Sequence, residues 1–175
     1  MRWFFIKIIS VIGYSGSGKT HLIENLIKKL KFELNFEVGV IKYIHNHRID
    51  EEGKDSFRFS QSGAVFSIIK NRFDESAIFL KKEVILNDLI QWLDDSPFKL
   101  DVIFFESFRN LPYPTILCVE DLNHIGAQLN ENVKMISGLI TMSDFTQSEG
   151  FRLPVVDIER NFKEFCSLFE LFKKP

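Results

Sequence analysis

Between residues 11 and 26 the chain reads V-I-G-Y-S-G-S-G-K-T-H-L-I-E-N-L, and no other stretch narrows its fold as much. Gly13, Gly16 and Gly18 interrupt regular structure, because glycine weakens helix and strand interiors and permits left-handed backbone. Before them, residues 4–12 form a near-continuous apolar run, the pattern of a strand covered on both faces. After them, Leu22, Ile23, Leu26, Ile27 and Leu30 recur at helical spacing, with Lys28, Lys29 and Lys31 elsewhere around the helix. A strand, a tight turn and a helix therefore follow one another.

Gly13-x4-Gly18-Lys19-Thr20 fits the P-loop pattern in full. Such a turn aims consecutive amides inward as a nest for phosphate oxygens, and the helix adds its positive end. Gly13, Ser15, Gly16, Ser17, Gly18, Lys19, Thr20 and His21 are the candidates for holding a polyphosphate. Lys19 supplies a point charge to the β- and γ-phosphates, and the Thr20 hydroxyl is a ligand for Mg²⁺. An ordinary glycine-rich turn is the competing reading, and the flanking strand and helix argue against it.

The remaining pattern alternates strands with helices. Strands are predicted at Phe36–Ile44, Asp101–Glu106, Thr115–Val119, Ile136–Thr141 and Pro154–Asp157. Ala64–Ile69 and Ala77–Leu80 suggest a hairpin across K-N-R-F-D-E. Helices are predicted near Phe57–Ser62, over Val84–Asp94 before Pro97, and after Asp157 with Phe162, Phe165, Cys166 and Phe169 on one face. We expect a single α/β domain over residues 1–175, P-loop NTPase-like, with a mostly parallel sheet and helices on both faces.

Composition excludes some functions. A net charge of −2 gives no general attraction to nucleic acid or anionic membrane. Cys118 and Cys166 lack paired spacing, which disfavours a zinc site or disulfide framework and fits a reducing cytoplasm. The opening apolar run is broken by Lys7 and lacks a small-residue cleavage site, so it does not suit a signal peptide. No run is long enough to span a bilayer.

Glu106 closes D-V-I-F-F-E on the strand expected beside the first, at the carboxyl end where ligands bind in such sheets. It is a candidate for holding Mg²⁺ with Thr20 or for orienting an attacking water, against the plainer reading of a solvated strand-end carboxylate. Residues 42–58 carry His45, His47 and Asp50, a candidate metal set if extended, although histidine pairs in loops are more often solvated. A switch-like loop is favoured there, with Lys54, Asp55 or Arg58 meeting phosphate, metal or a second substrate after the bend at Gly53.

The P-loop, then I-K-x-x-H, then G-K-D-S-x-R with Ser-Gly-Ala, then D-V-I-F-F-E-S-F-R and a late L-P-V-V-D, together resemble the MobB family. These are GTP-binding adaptors of molybdopterin-guanine dinucleotide biosynthesis. The resemblance implies GTP and Mg²⁺ binding, weak hydrolysis and a homodimer that assists the nucleotidyltransferase MobA with molybdopterin. It places Lys54, Asp55, Ser56 and Arg58 on the family signature, and Glu106 on its strand-end acid. Three positions depart from the family: His21 for Thr, Tyr43 for His, and Ser107 for Gly.

Guanine presents two neighbouring donors, so a carboxylate suits it. Thr141-Met142-Ser143-Asp144 keeps the ends of the GTPase motif but has Met142 for lysine, which makes Asp144 a candidate base reader or else a local turn cap. Two alternatives stay open: a small-molecule or nucleoside kinase using Asp55 or Glu106 as base, and a non-hydrolysing nucleotide-responsive scaffold.

Overall fold

A computed structural model describes residues 6–142 and 152–172. In chain order its elements are β1 (Lys7–Ile12), α1 (Lys19–Lys29), β2 (Val38–Lys42), α2 (Asp55–Gln61), β3 (Phe66–Lys70), β4 (Ser76–Leu80), α3 (Leu86–Asp94), β5 (Val102–Glu106), β6 (Thr115–Cys118), β7 (Val133–Ser137) and α4 (Phe162–Leu168). They divide into two compact units, one from Met1–Tyr43 with Lys99–Pro175, the other Ile44–Phe98.

The first unit holds a parallel five-stranded sheet in the order β2-β5-β1-β6-β7. This is the α/β, P-loop NTPase-like architecture expected from the alternating pattern. β5 is buried at every residue, as a central strand covered on both faces must be. Alternate side chains sort into two cores. Ile9, Val11, Phe104, Ile116 and Met135 pack with Leu22 and Leu26 of α1 and with Phe162 and Phe165 of α4. On the other face Ile12, Leu117, Val119 and Ile136 pack with Ile125 and Ile140, which lie at the short helical turns Leu122–His124 and Leu139–Met142.

α1 forms as its apolar spacing dictates and widens over Leu30–Leu34. It ends where Asn35 turns left-handed (φ 56°) and the Phe36 amide donates to the Leu30 carbonyl.

Most predicted boundaries shift by one or two residues, as where Phe36–Ile44 shortens to Val38–Lys42 and Phe57–Ser62 becomes Asp55–Gln61. The strand expected at Ile136–Thr141 runs instead over Val133–Ser137 and stops at Gly138, whose φ of +92° no strand tolerates. Pro154–Asp157 contributes only a bridge from Val155 to Ile136. The helix over Val84–Asp94 begins at Leu86, after an extended Ile85.

In the second unit β3 and β4 pair antiparallel, as the sequence suggested. Their turn is built by Asn71, whose side-chain oxygen accepts from the Phe73 and Glu75 amides at 2.8 and 3.1 Å, with Asp74 at positive φ. Phe66, Ile68, Ile78 and Leu80 are exposed on this hairpin. Among the described residues no helix is long and apolar enough to cross a membrane.

Candidate functional site: the phosphate loop and its acidic partner

The turn between β1 and α1 takes left-handed backbone at Gly16 (φ 82°) and Gly18 (φ 90°), and at Gly16 a side chain would point into open space. Ser17 closes the loop by donating its amide to the Tyr14 carbonyl at 3.3 Å. The first α1 amides have no intrahelical acceptor, so they stand free for an anion together with the helix dipole. Lys19 is only 9% exposed, and its ammonium donates to the carbonyls of Gly13 (2.9 Å) and Tyr14 (2.6 Å). Burial lowers its pKa, against the pull of the nearby Glu106 carboxylate.

Parallel pairing sets Val11 opposite Glu106, so the acid ends β5 beside the loop. Glu106 is 4% exposed. Its Oε1 accepts from the Thr20 hydroxyl at 3.0 Å. It also forms an ion pair with the Lys42 ammonium at 3.0 Å, and that ammonium reaches the Thr20 hydroxyl oxygen at 3.4 Å. The two residues proposed from sequence as Mg²⁺ ligands are thus brought together. A hydroxyl and a carboxylate beside free amides and a lysine are the donor set a magnesium-bound polyphosphate requires.

Sequence reading missed three features here. Lys42 ends β2 directly opposite Glu106 in register, a position that follows once β2 is known to flank β5. Gly138 lies under the loop, where the Leu139 amide donates to the Ser17 carbonyl at 3.2 Å. Arg109 lays its guanidinium over the Tyr14 ring at 5.3 Å, and Tyr14 meets His124 edge-on at 5.6 Å. These last contacts join residues distant in sequence, and no local pattern announces them.

His21 is exposed and its Nε2 lies 3.2 Å from the Asn25 amide nitrogen. With Gly18, Thr141, Met142 and Asp157 it lines a cavity of about 80 Å³, well below the size of a ligand pocket. Asp144, the candidate base reader, lies outside the described residues.

The G-K-D-S segment belongs to the second unit. Gly53 turns at φ +88° into α2. Lys54 pairs with Glu51 at 3.7 Å and Asp55 with Arg58 at 3.6 Å, all exposed. Ser56 is buried and donates to Asp50 at 2.7 Å, while Lys81 pairs with the other Asp50 oxygen at 2.9 Å. Lys81 and Ser56 hold the Asp50 carboxyl below the usual carboxylate range against the opposing effect of burial. That engagement removes Asp50 from the candidate set with His45 and His47, and among the described residues no cluster of three potential metal-binding side chains forms.

The family model for MobB, molybdopterin guanine dinucleotide synthesis protein B, matches residues 8–142. A molybdopterin-guanine dinucleotide biosynthesis adapter protein of Haemophilus influenzae is 40% identical over 116 residues, 64% of this chain and 62% of that protein. A putative one from Methanocaldococcus jannaschii is 29% identical over 121 residues, 66% of this chain and 48% of that protein. The Escherichia coli adapter is 30% identical over 121 residues, 66% and 67% of the two chains. The match therefore spans less than two thirds of the first two relatives' lengths. In fold, the crystal structure of Bacillus subtilis MobB superposes with a TM-score of 0.71 at 22% identity, covering 93% of this chain and 98% of that one. A MobB homologue from Bacillus stearothermophilus gives 0.65 at 18% identity, covering 93% and 95%. By its phosphate loop, its sheet and these matches, the chain belongs to the MobB family.

Proposed function

We propose that this protein binds GTP with Mg²⁺, hydrolyses it slowly, and serves as an accessory protein in molybdopterin-guanine dinucleotide biosynthesis. The observation that carries the reading is the meeting of Thr20 with buried Glu106 beside the phosphate loop. Bound Mg²⁺ would be held by Thr20 and Glu106 and would neutralise polyphosphate charge. The chain's own work is to cradle phosphate oxygens on the amides of residues 15–21 and to oppose their charge with Lys19.

Lys54, Asp55 and Arg58 enter as a second polar set. Exposed ion pairs are typically worth only about 0.2–1 kcal/mol, so these exchange readily for a substrate phosphate or a partner's charges. The partner is a MobA-like nucleotidyltransferase carrying molybdopterin or its guanine dinucleotide. The relatives' adapter names support that assignment. The exposed apolar side chains of the hairpin support a homodimer, and the free thiols of Cys118 and Cys166 accord with the cytoplasm.

Calorimetric titration of GTP and ATP, each with and without Mg²⁺, tests the reading. GTP should bind more tightly, and Mg²⁺ should strengthen it. Tighter binding of ATP would overturn the guanine assignment. Glu106→Gln should lower turnover, and rates near zero for both proteins would favour a scaffold role.

A further inference from the structure

The ammonium of Lys42 stands on the same two oxygens that make Thr20 and Glu106 a cation site. It lies 3.0 Å from Glu106 Oε1 and 3.4 Å from Thr20 Oγ1. A buried carboxylate is costly unless paired, and Lys42 is the cation that pairs this one. The arrangement differs from that of Lys19, whose ammonium is engaged by the loop carbonyls of Gly13 and Tyr14. Lys42 is also free to leave. It ends an edge strand of the sheet, its side chain is 47% exposed, and four methylenes carry the charge.

We propose that Lys42 is a built-in counter-ion that competes with divalent metal for Thr20 and Glu106, so that metal enters only as Lys42 is displaced. This rests on the nucleotide reading above, because a polyphosphate arriving with the metal compensates the released ammonium. Two cations cannot share these oxygens at close range without strong mutual repulsion. The exchange therefore couples metal entry to phosphate entry: metal alone meets a site already neutralised, whereas the metal–polyphosphate pair brings its own balancing charge. The protein is thereby protected from idle loading by free divalent ions.

The test uses Mn²⁺ as the probe, titrated by electron paramagnetic resonance into nucleotide-free full-length protein. Lys42→Met should bind Mn²⁺ at least tenfold more tightly than wild type, and Mn²⁺ should raise its melting temperature more than that of wild type. Lys42→Arg, which restores a cation, should behave like wild type. Adding Glu106→Gln to Lys42→Met should abolish the gain. Lys42→Gln serves as a second neutral variant if the methionine variant does not fold. Equal or weaker Mn²⁺ binding by the neutral variants overturns the proposal. No nucleotide is present in these titrations. Failure of the wild-type protein to bind GTP would refute the function proposed above, whereas tighter Mn²⁺ binding by Lys42→Met would still establish the competition of Lys42 with metal.

Discussion

Gly138 offers the sharpest test of how the phosphate loop is held. It follows β7 with φ +92°, and a Cβ there would lie closer than 3.0 Å to the Ser17 carbonyl oxygen. The same Cβ would sit 3.0 Å from Cys118 Cβ and 3.1 Å from the Val119 amide nitrogen. Two of these three neighbours are backbone, so no flexible side chain can yield. Gly138→Ala therefore carries two costs. Left-handed backbone costs an alanine about 1–2 kcal/mol, of which roughly 0.4–1 kcal/mol is offset by the stiffer unfolded chain. Overpacking adds about 1–3 kcal/mol, giving a loss of roughly 1–5 kcal/mol.

Gly16→Ala is the matched control, with φ +82° and nothing within 4 Å of its Cβ. It pays the dihedral cost alone, about 1 kcal/mol. Denaturant midpoints at constant m should separate the two variants by about 1–3 kcal/mol. Because Ser17 is the residue pushed, Gly138→Ala should also weaken nucleotide binding measured by titration, without touching a phosphate-facing group. Equal stabilities for Gly138→Ala and Gly16→Ala would refute the claim that the β7 turn is wedged beneath the loop.

Two further outcomes follow from local geometry. Ser107 adopts φ 72° just after Glu106, with its amide bonded to the Val11 carbonyl at 3.0 Å. Ser107→Gly removes about 1–2 kcal/mol of left-handed strain and returns about 0.5–1 kcal/mol as glycine entropy. The net should be a rise of roughly 0–1.5 kcal/mol in unfolding free energy by chemical denaturation, and a loss of stability would contradict the strain assignment. The Asp50 carboxyl has a lowered folded pKa, so its stabilisation is complete above its ordinary value of 3.8 and is lost as pH falls through the folded value. Asp50→Asn should therefore destabilise residues 44–98 at neutral pH, read by amide exchange, and the gap to wild type should close in acid. An equal gap at both ends of the pH range would dismiss the ion pair as its source.

Legibility in the sequence tracked how local each requirement was. The turn at residues 13–20 was plain because consecutive residues carry its needs, glycine for backbone and Lys19 with Thr20 for chemistry. β5 was plain because burial on both faces demands an unbroken apolar run, and its terminal acid stood out against it. The end of β7 is hidden from the sequence because Leu139, Ile140 and Met142 are apolar in either conformation, and the wedge of Gly138 under Ser17 ends the strand. Ser56 belongs to a recognisable segment, yet its burial against Asp50 depends on where Lys81 arrives from beyond β4.

A glycine-rich turn joining a buried strand to an amphipathic helix, and an acid closing a second buried strand, could be read from the chain alone. Those are statements about neighbouring residues, and the backbone enforces them over a few bonds. That Lys42, 64 residues before Glu106, shares a Glu106 oxygen with Thr20 emerges only in three dimensions, since strand order and register place β2 beside β5. Contacts of that kind are set by how whole strands pair, a property that no short window of sequence contains.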